Sequence, residues 1–119
     1  MKRILIVDDG AEVREILNEF FTMKGFEVIE AENGQEGLEK YAQSAPRAAI
    51  VDVQMPVMNG IEFTERVHQK QPDFPIILIT GFVKKYKNLD VDRLKVCALM
   101  TKPLDLNQLY STLCQSLDG

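Results

Sequence analysis

The chain lacks any apolar tract long enough to cross a bilayer. Its longest runs, such as residues 4–7 and 76–79, fall far short of the ~20 residues that a spanning helix needs. The opening Met1-Lys2-Arg3 has a basic-then-apolar look, but Asp8 and Asp9 end the apolar stretch and no small-residue cleavage site follows, so no signal peptide is expected. Cysteine is scarce. Cys97 and Cys114 are the two cysteines and His68 the lone histidine, too few and too far apart for a zinc cluster or a disulfide framework. There is no basic excess either: the net charge is −4, with most acids in the first half, which argues against nucleic acid binding by this domain. Repeats, low-complexity tracts and linkers are absent. What remains is a chain of 119 residues, 45% hydrophobic and 27% charged: one globular domain over 1–119, large enough to bury a core. Cytoplasm is the expected address.

Five short apolar runs, at 4–7, 26–31, 48–53, 75–80 and 96–101, read as strands. The first, third and fourth hold continuously apolar segments, as strands covered on both faces should. Residues 26–31 alternate as Phe-Glu-Val-Ile-Glu-Ala, which suits a strand at the sheet edge. Helical spacing fills the intervals. Val13, Ile16, Leu17, Phe20 and Phe21 share one face, with Gly25 as the stop. Leu38, Tyr41 and Ala42 mark a second helix ended before Pro46, and Ile61, Thr64 and Val67 a third ended before Pro72. Leu106, Leu109, Tyr110, Leu113 and Leu117 form the clearest stripe, capped by Asp105. Residues 81–95 fit a helical face poorly, with Asp90 placed to cap a short late helix. Five βα repeats predict an α/β, flavodoxin-like, doubly wound parallel sheet of order 2-1-3-4-5, with helices on both faces.

In such sheets ligands bind outside the carboxyl ends of the strands. Strand one ends in Asp8 and Asp9, strand three carries Asp52, strand four ends in Thr80 and strand five in Lys102-Pro103. Each residue alone has an ordinary explanation as a cap, a turn residue or a solvated charge; their joint placement at four strand ends does not. Converging carboxylates repel unless a cation sits among them, and an all-oxygen set suits Mg²⁺ or Mn²⁺. Three carboxylates, one divalent metal and one ammonium sum to zero charge, so a phosphoryl dianion is tolerable there. Asp52, on the central strand, is the candidate nucleophile toward phosphorus; Lys102 would neutralise the transferring group and Thr80 donate a hydrogen bond to it.

These residues resemble a known family. Ile-Leu-Ile-Val-Asp-Asp at 4–9, Ala31-x-Asn33-Gly34-x-Glu36-Gly37-Leu38, Asp52-Val-Gln-Met55-Pro56-Val-Met58-Asn59-Gly60, Pro72-x-x-Pro75-Ile-Ile-x-x-Thr80 and Lys102-Pro103 are similar, over about residues 2–117, to the receiver domains of bacterial two-component response regulators. The resemblance implies a phosphorelay switch rather than an enzyme, one that promotes only its own phosphotransfer and autodephosphorylation. Asp52 would be the phospho-acceptor and a sensor histidine kinase or histidine phosphotransfer protein the donor. Asp8, Asp9, Asp52 and the Gln54 backbone carbonyl would hold Mg²⁺. Thr80 would be the hydroxyl that follows the phosphoryl group, and Lys102 the neutralising cation, with a cis Lys102–Pro103 bond. A downstream effector would read the switch, with neither nucleic acid nor membrane bound directly. Gln54 and Phe82 would flank the attacking water and set the lifetime of the phosphoaspartate.

Several positions depart from that pattern. Gly10 stands where a third acidic or polar residue is common. Leu99 replaces the usual aromatic residue on strand five, and Lys95-Val96 the usual Gly-Ala. Without an aromatic ring to swing, signalling is expected to run through rearrangement of residues 81–95. His68 reads as a solvated helix residue, Cys97 and Cys114 as small core residues, and Met55 and Met58 as packing the loop over the site. Lys84, Lys85, Lys87, Arg93 and Lys95 form either a solvated face or a docking surface for an acidic partner. The competing reading is a receiver-fold interaction module not controlled by phosphate. An aspartate-nucleophile phosphatase would need an acid where Gln54 stands, and a flavin site would place phosphate against Asp8 and Asp9.

Overall fold

The computed structural model describes residues 2–81 and 91–118. Within them run β1 (Arg3–Val7), α1 (Ala11–Met23), β2 (Glu27–Ala31), α2 (Gly34–Ser44), β3 (Ala48–Asp52), α3 (Gly60–Lys70), β4 (Ile76–Thr80), α4 (Val91–Leu94), β5 (Ala98–Thr101) and α5 (Leu106–Asp118). All four strand pairings are parallel, in the order β2-β1-β3-β4-β5. The anticipated (βα)5 architecture is therefore present, with β2 on an edge as its alternation indicated. No helix of the described residues is long and apolar enough to cross a membrane. Phe82, Tyr86, Leu89, Asp90 and the lysines at 84, 85 and 87 lie outside the described residues, as does most of the 81–95 segment expected to carry the output.

The strand sequences are apolar at successive positions because each strand has two faces to cover. Ile4, Ile6, Ile50, Ile77 and Ile79 point to one side, where they meet Leu17 and Phe21 of α1 and Leu109 and Leu113 of α5. Leu5, Val7, Val51, Ile76 and Leu78 point to the other, against Phe63 and Val67 of α3 and Leu94 of α4. Each of these strand residues is fully buried, a contribution of about 1.5–3 kcal/mol per large side chain. Glu27 to Glu30 of β2 are only half-buried, as an edge position allows.

Local chemistry sets the helix ends. Gly25 takes φ 93° after α1, and the N–H groups of Gly25 and Phe26 bond the carbonyls of Thr22 and Phe21, closing the helix as a Schellman turn. The Asn33 side chain accepts the Glu36 N–H at 2.8 Å, and Asn59 accepts the Glu62 N–H at 2.9 Å. Asp105 accepts the Gln108 N–H at 3.1 Å, the cap read from sequence. Asn59→Ala is expected to cost about 1 kcal/mol, read as a lower urea midpoint at unchanged slope; a wild-type midpoint would contradict this cap.

Four side chains differ from their expected environments. Ile16 is exposed, because it lies at the margin of an apolar stripe wider than α1 can bury. It lines a cleft of about 350 Å³ with Val13, Leu17, Pro103, Leu104 and Leu106. Cys97 is exposed, being the residue that leads into edge strand β5, and Cys114 is half-buried; neither is a core residue. His68 is half-buried rather than solvated, and its Nε2 donates to the Phe74 carbonyl at 3.0 Å. Lys95, where a glycine was the usual residue, adopts φ 58°.

Candidate functional site

The carboxyl ends of β1, β3, β4 and β5 open on one side of the sheet, so Asp8, Asp52, Thr80 and Lys102 arrive together. Asp52 is the last residue of β3, in register with Ile79 of β4. Thr80 follows, in register with Thr101, and the Lys102 N–H bonds the Thr80 carbonyl at 2.9 Å. Asp8, Asp52 and Thr80 are buried, whereas Asp9, one residue beyond Asp8, is exposed. The Lys102–Pro103 peptide bond is cis.

Lys102 Nζ lies 3.0 Å from Asp52 Oδ2 and 3.3 Å from Asp8 Oδ2, bridging the two buried carboxylates. The Gln54 N–H donates to the other Asp52 oxygen, Oδ1, at 3.0 Å. Burial pushes the Asp52 carboxyl above the usual aspartate range. The Lys102 hydrogen bond opposes this, the Asp8 charge adds to it, and the Gln54 N–H and the Lys102 charge oppose it; the net direction is upward. Burial disfavours the Lys102 ammonium, but its contacts with Asp52 and Asp8 outweigh that and hold its pKa above the ordinary lysine value. Among the described residues Lys102 thus pairs with two of the three carboxylates, and the site carries excess negative charge.

The donor set suits a hard divalent cation. One oxygen from each of Asp8, Asp9 and Asp52 lies within 4.8 Å of the others. Asp8 Oδ1 accepts the Gly10 N–H at 2.7 Å, but among the described residues the buried Asp8 Oδ2 has no hydrogen-bond donor. Its 3.3 Å approach to Lys102 is an ion pair without hydrogen-bond geometry. A buried carboxylate oxygen in that state normally has a partner, and oxygen-only ligands favour Mg²⁺ or Mn²⁺.

The loop after Asp52 is built around close backbone contacts. Met55 and Met58 are buried in the α3-side core and pin the loop from beneath, while Val57 between them is exposed at φ 69°. A β-branched residue in the left-handed region is strained, and the two buried methionines hold it there. The Gly34 N–H bonds the Met58 carbonyl at 3.2 Å, and a Cβ on Gly34 would meet Met58 O at 2.5 Å. Gly60 lies directly against the Asp52 backbone. The family motifs at 31–38 and 52–60 are thus two halves of one packed loop. Leu99 is half-buried against the same core.

Sequence reasoning placed Asp8, Asp52 and Lys102 together but gave no role to Arg14. On α1, Arg14 donates from Nη1 to the Asp8 carbonyl at 2.5 Å and pairs through Nε with Glu30 of β2 at 3.3 Å. No spacing rule signals this contact, because it depends on side-chain reach across two elements.

The response regulator receiver domain model matches residues 4–114. The chain is 32% identical over 113 residues to chemotaxis protein CheY of Thermotoga maritima, covering 94% of each. It is 33% identical over 109 residues to regulatory protein AtoC of Escherichia coli, covering 92% of this chain but only 24% of that longer protein. Among solved structures, response regulator TrrA of Thermotoga maritima, crystallised in complex with Mg²⁺ and BeF, superposes with a TM-score of 0.88 at 31% identity, covering 98% of this chain and 99% of that one. With such matches along nearly its whole length, the chain belongs to the response regulator receiver domain family.

Proposed function

We propose that the chain is a single receiver unit that takes a phosphoryl group onto Asp52 and works as a phosphorylation-dependent signalling switch. The observation that carries this reading is the bridge from Lys102 to the buried Asp52 and Asp8, beside an Asp8 oxygen that lacks a hydrogen-bond donor among the described residues. The Asp8, Asp9 and Asp52 carboxylates and the Gln54 backbone carbonyl would hold Mg²⁺, with Mn²⁺ an acceptable substitute; TrrA was crystallised with Mg²⁺. When bound, the ion neutralises charge on the phosphoryl oxygens.

The chain's own groups divide the work. An Asp52 carboxylate oxygen forms the new bond to phosphorus while the bond from phosphorus to the donor's imidazole nitrogen breaks, and the electron pair leaves with the imidazole. The Gln54 N–H fixes the orientation of the carboxylate through Oδ1. Lys102 supplies positive charge beside Oδ2, and the Thr80 hydroxyl donates to a phosphoryl oxygen. The donor is a sensor histidine kinase or histidine phosphotransfer protein, the reader is an effector protein or domain, and the setting is the cytoplasm.

Incubating the full chain with Mg²⁺ and a small phosphodonor such as acetyl phosphate, then weighing it intact, should show a gain of one phosphoryl group that EDTA prevents. No gain with metal and donor present would leave an interaction module not controlled by phosphate.

A further inference from the structure

Asp8 presents its side chain to the site from the point where β1 turns into α1, and its four polar atoms are unequally held. The N–H donates to the Ala31 carbonyl at 3.1 Å, Oδ1 accepts the Gly10 N–H, and the carbonyl accepts Arg14 Nη1. Oδ2 alone has no hydrogen-bond donor among the described residues, and it lies beside Lys102. Arg14 is itself fixed: its side chain is 16% exposed and its Nε meets Glu30 Oε1 at 3.3 Å. Glu30 Oε2 accepts Asn18 Nδ2 at 2.7 Å, and Asn18 Oδ1 accepts the Thr22 hydroxyl at 2.9 Å. A run of polar contacts therefore extends from the surface of α1, through an acid on edge strand β2, to the main chain of Asp8.

We propose that Arg14, braced by Glu30, is a positioning residue that fixes the Asp8 backbone so that Oδ2 is presented to the divalent cation. This rests on the metal-assisted reading above. Two effects of Arg14 oppose each other. Its positive charge near the site repels a cation, whereas its hydrogen bond fixes the Asp8–Asp9 peptide, from whose two ends both acids project. The charge is paired with Glu30 and partly solvated, so its repulsion is weak. Positioning dominates, as with other outer groups that orient metal ligands, whose removal costs about 10–100-fold in affinity.

The test is Mg²⁺ binding to the full chain by titration calorimetry, with urea unfolding in EDTA alongside. Arg14→Ala should weaken Mg²⁺ by about tenfold, Glu30→Gln should weaken it less, and Arg14→Lys, which restores one donor, should recover part of the loss. Metal-free stability should not follow that order. Unchanged or tighter Mg²⁺ binding in Arg14→Ala would overturn the proposal, as would an affinity loss in Arg14→Lys equal to that of alanine. If Arg14→Ala does not fold, Glu30→Gln and Arg14→Lys decide on the same criteria. Failure here is separable from failure of the functional reading: a wild-type chain that takes up phosphoryl with Mg²⁺ while Arg14→Ala binds the ion normally removes Arg14 from the account and nothing else.

Discussion

Gly60→Ala should be among the most damaging single-methyl additions in this protein. Gly60 is the first residue of α3, and its N–H bonds the Val53 carbonyl at 2.9 Å. A Cβ there would overlap the backbone carbonyl oxygen of Asp52 and lie 3.0 Å from both the Asp52 carbonyl carbon and Val53 Cα. In an open helix position the same change would stabilise by up to about 1 kcal/mol through helix propensity. Overpacking against backbone that cannot give costs about 1–3 kcal/mol or more, so the net sign is destabilising, by about 2 kcal/mol. Relief requires moving α3 away from the end of β3, and Asp52 moves with it. Urea unfolding should therefore show a large loss of stability, and intact-mass measurement slower phosphoryl uptake per folded molecule. Gly37→Ala is the comparison: its Cβ would meet Phe63 Cε2 at 3.0 Å and Val7 Cγ2 at 3.1 Å, side chains that need yield only a few tenths of an ångström. Equal stability loss in the two variants would refute the backbone argument.

Gly60 also marks the boundary of what the sequence discloses. The strands were legible because burial on both faces forces continuous apolar runs, and the site was legible because parallel strands deliver their terminal residues to one side. Asp8, Asp52, Thr80 and Lys102 needed no more than that. The environments of Ile16, Cys97 and His68 were not legible, because a stripe or a residue type does not say where a neighbouring element ends. The Arg14–Asp8 contact was hidden for a different reason: it joins a side chain to a main-chain carbonyl, and carbonyls look alike in any sequence. The glycines of the 31–38 and 52–60 motifs were visible as letters, but their causes, Gly34 against the Met58 backbone and Gly60 against that of Asp52, appear only in three dimensions.

Asp52→Asn should abolish phosphoryl uptake and, in EDTA, yield a more stable protein. The first effect follows from removing the nucleophile, and persistent labelling of the variant would sink the assignment of Asp52. The second follows from the raised Asp52 pKa, whose largest cause is burial. When the folded-state pKa lies above the unfolded one, the folded state holds more protons between the two values, and stability falls as pH rises through that window. Above it, the ionised carboxylate imposes its full cost. Asparagine resembles the protonated acid, so it escapes that cost at neutral pH. The lost hydrogen bond to Lys102 is already counted, since it lowers the Asp52 pKa and the net direction is still upward, and Lys102 keeps Asp8 at 3.3 Å. The gain is read as a higher Tm of the variant. Lowering the pH toward the ordinary aspartate value, ~3.9, should erase the difference. Adding Mg²⁺ should narrow it from the other side, because the ion stabilises the wild-type fold by mass action and asparagine offers it a weaker ligand. A wild-type Tm equal to or above that of Asp52→Asn in EDTA at neutral pH would mean that the site tolerates its excess charge without the metal.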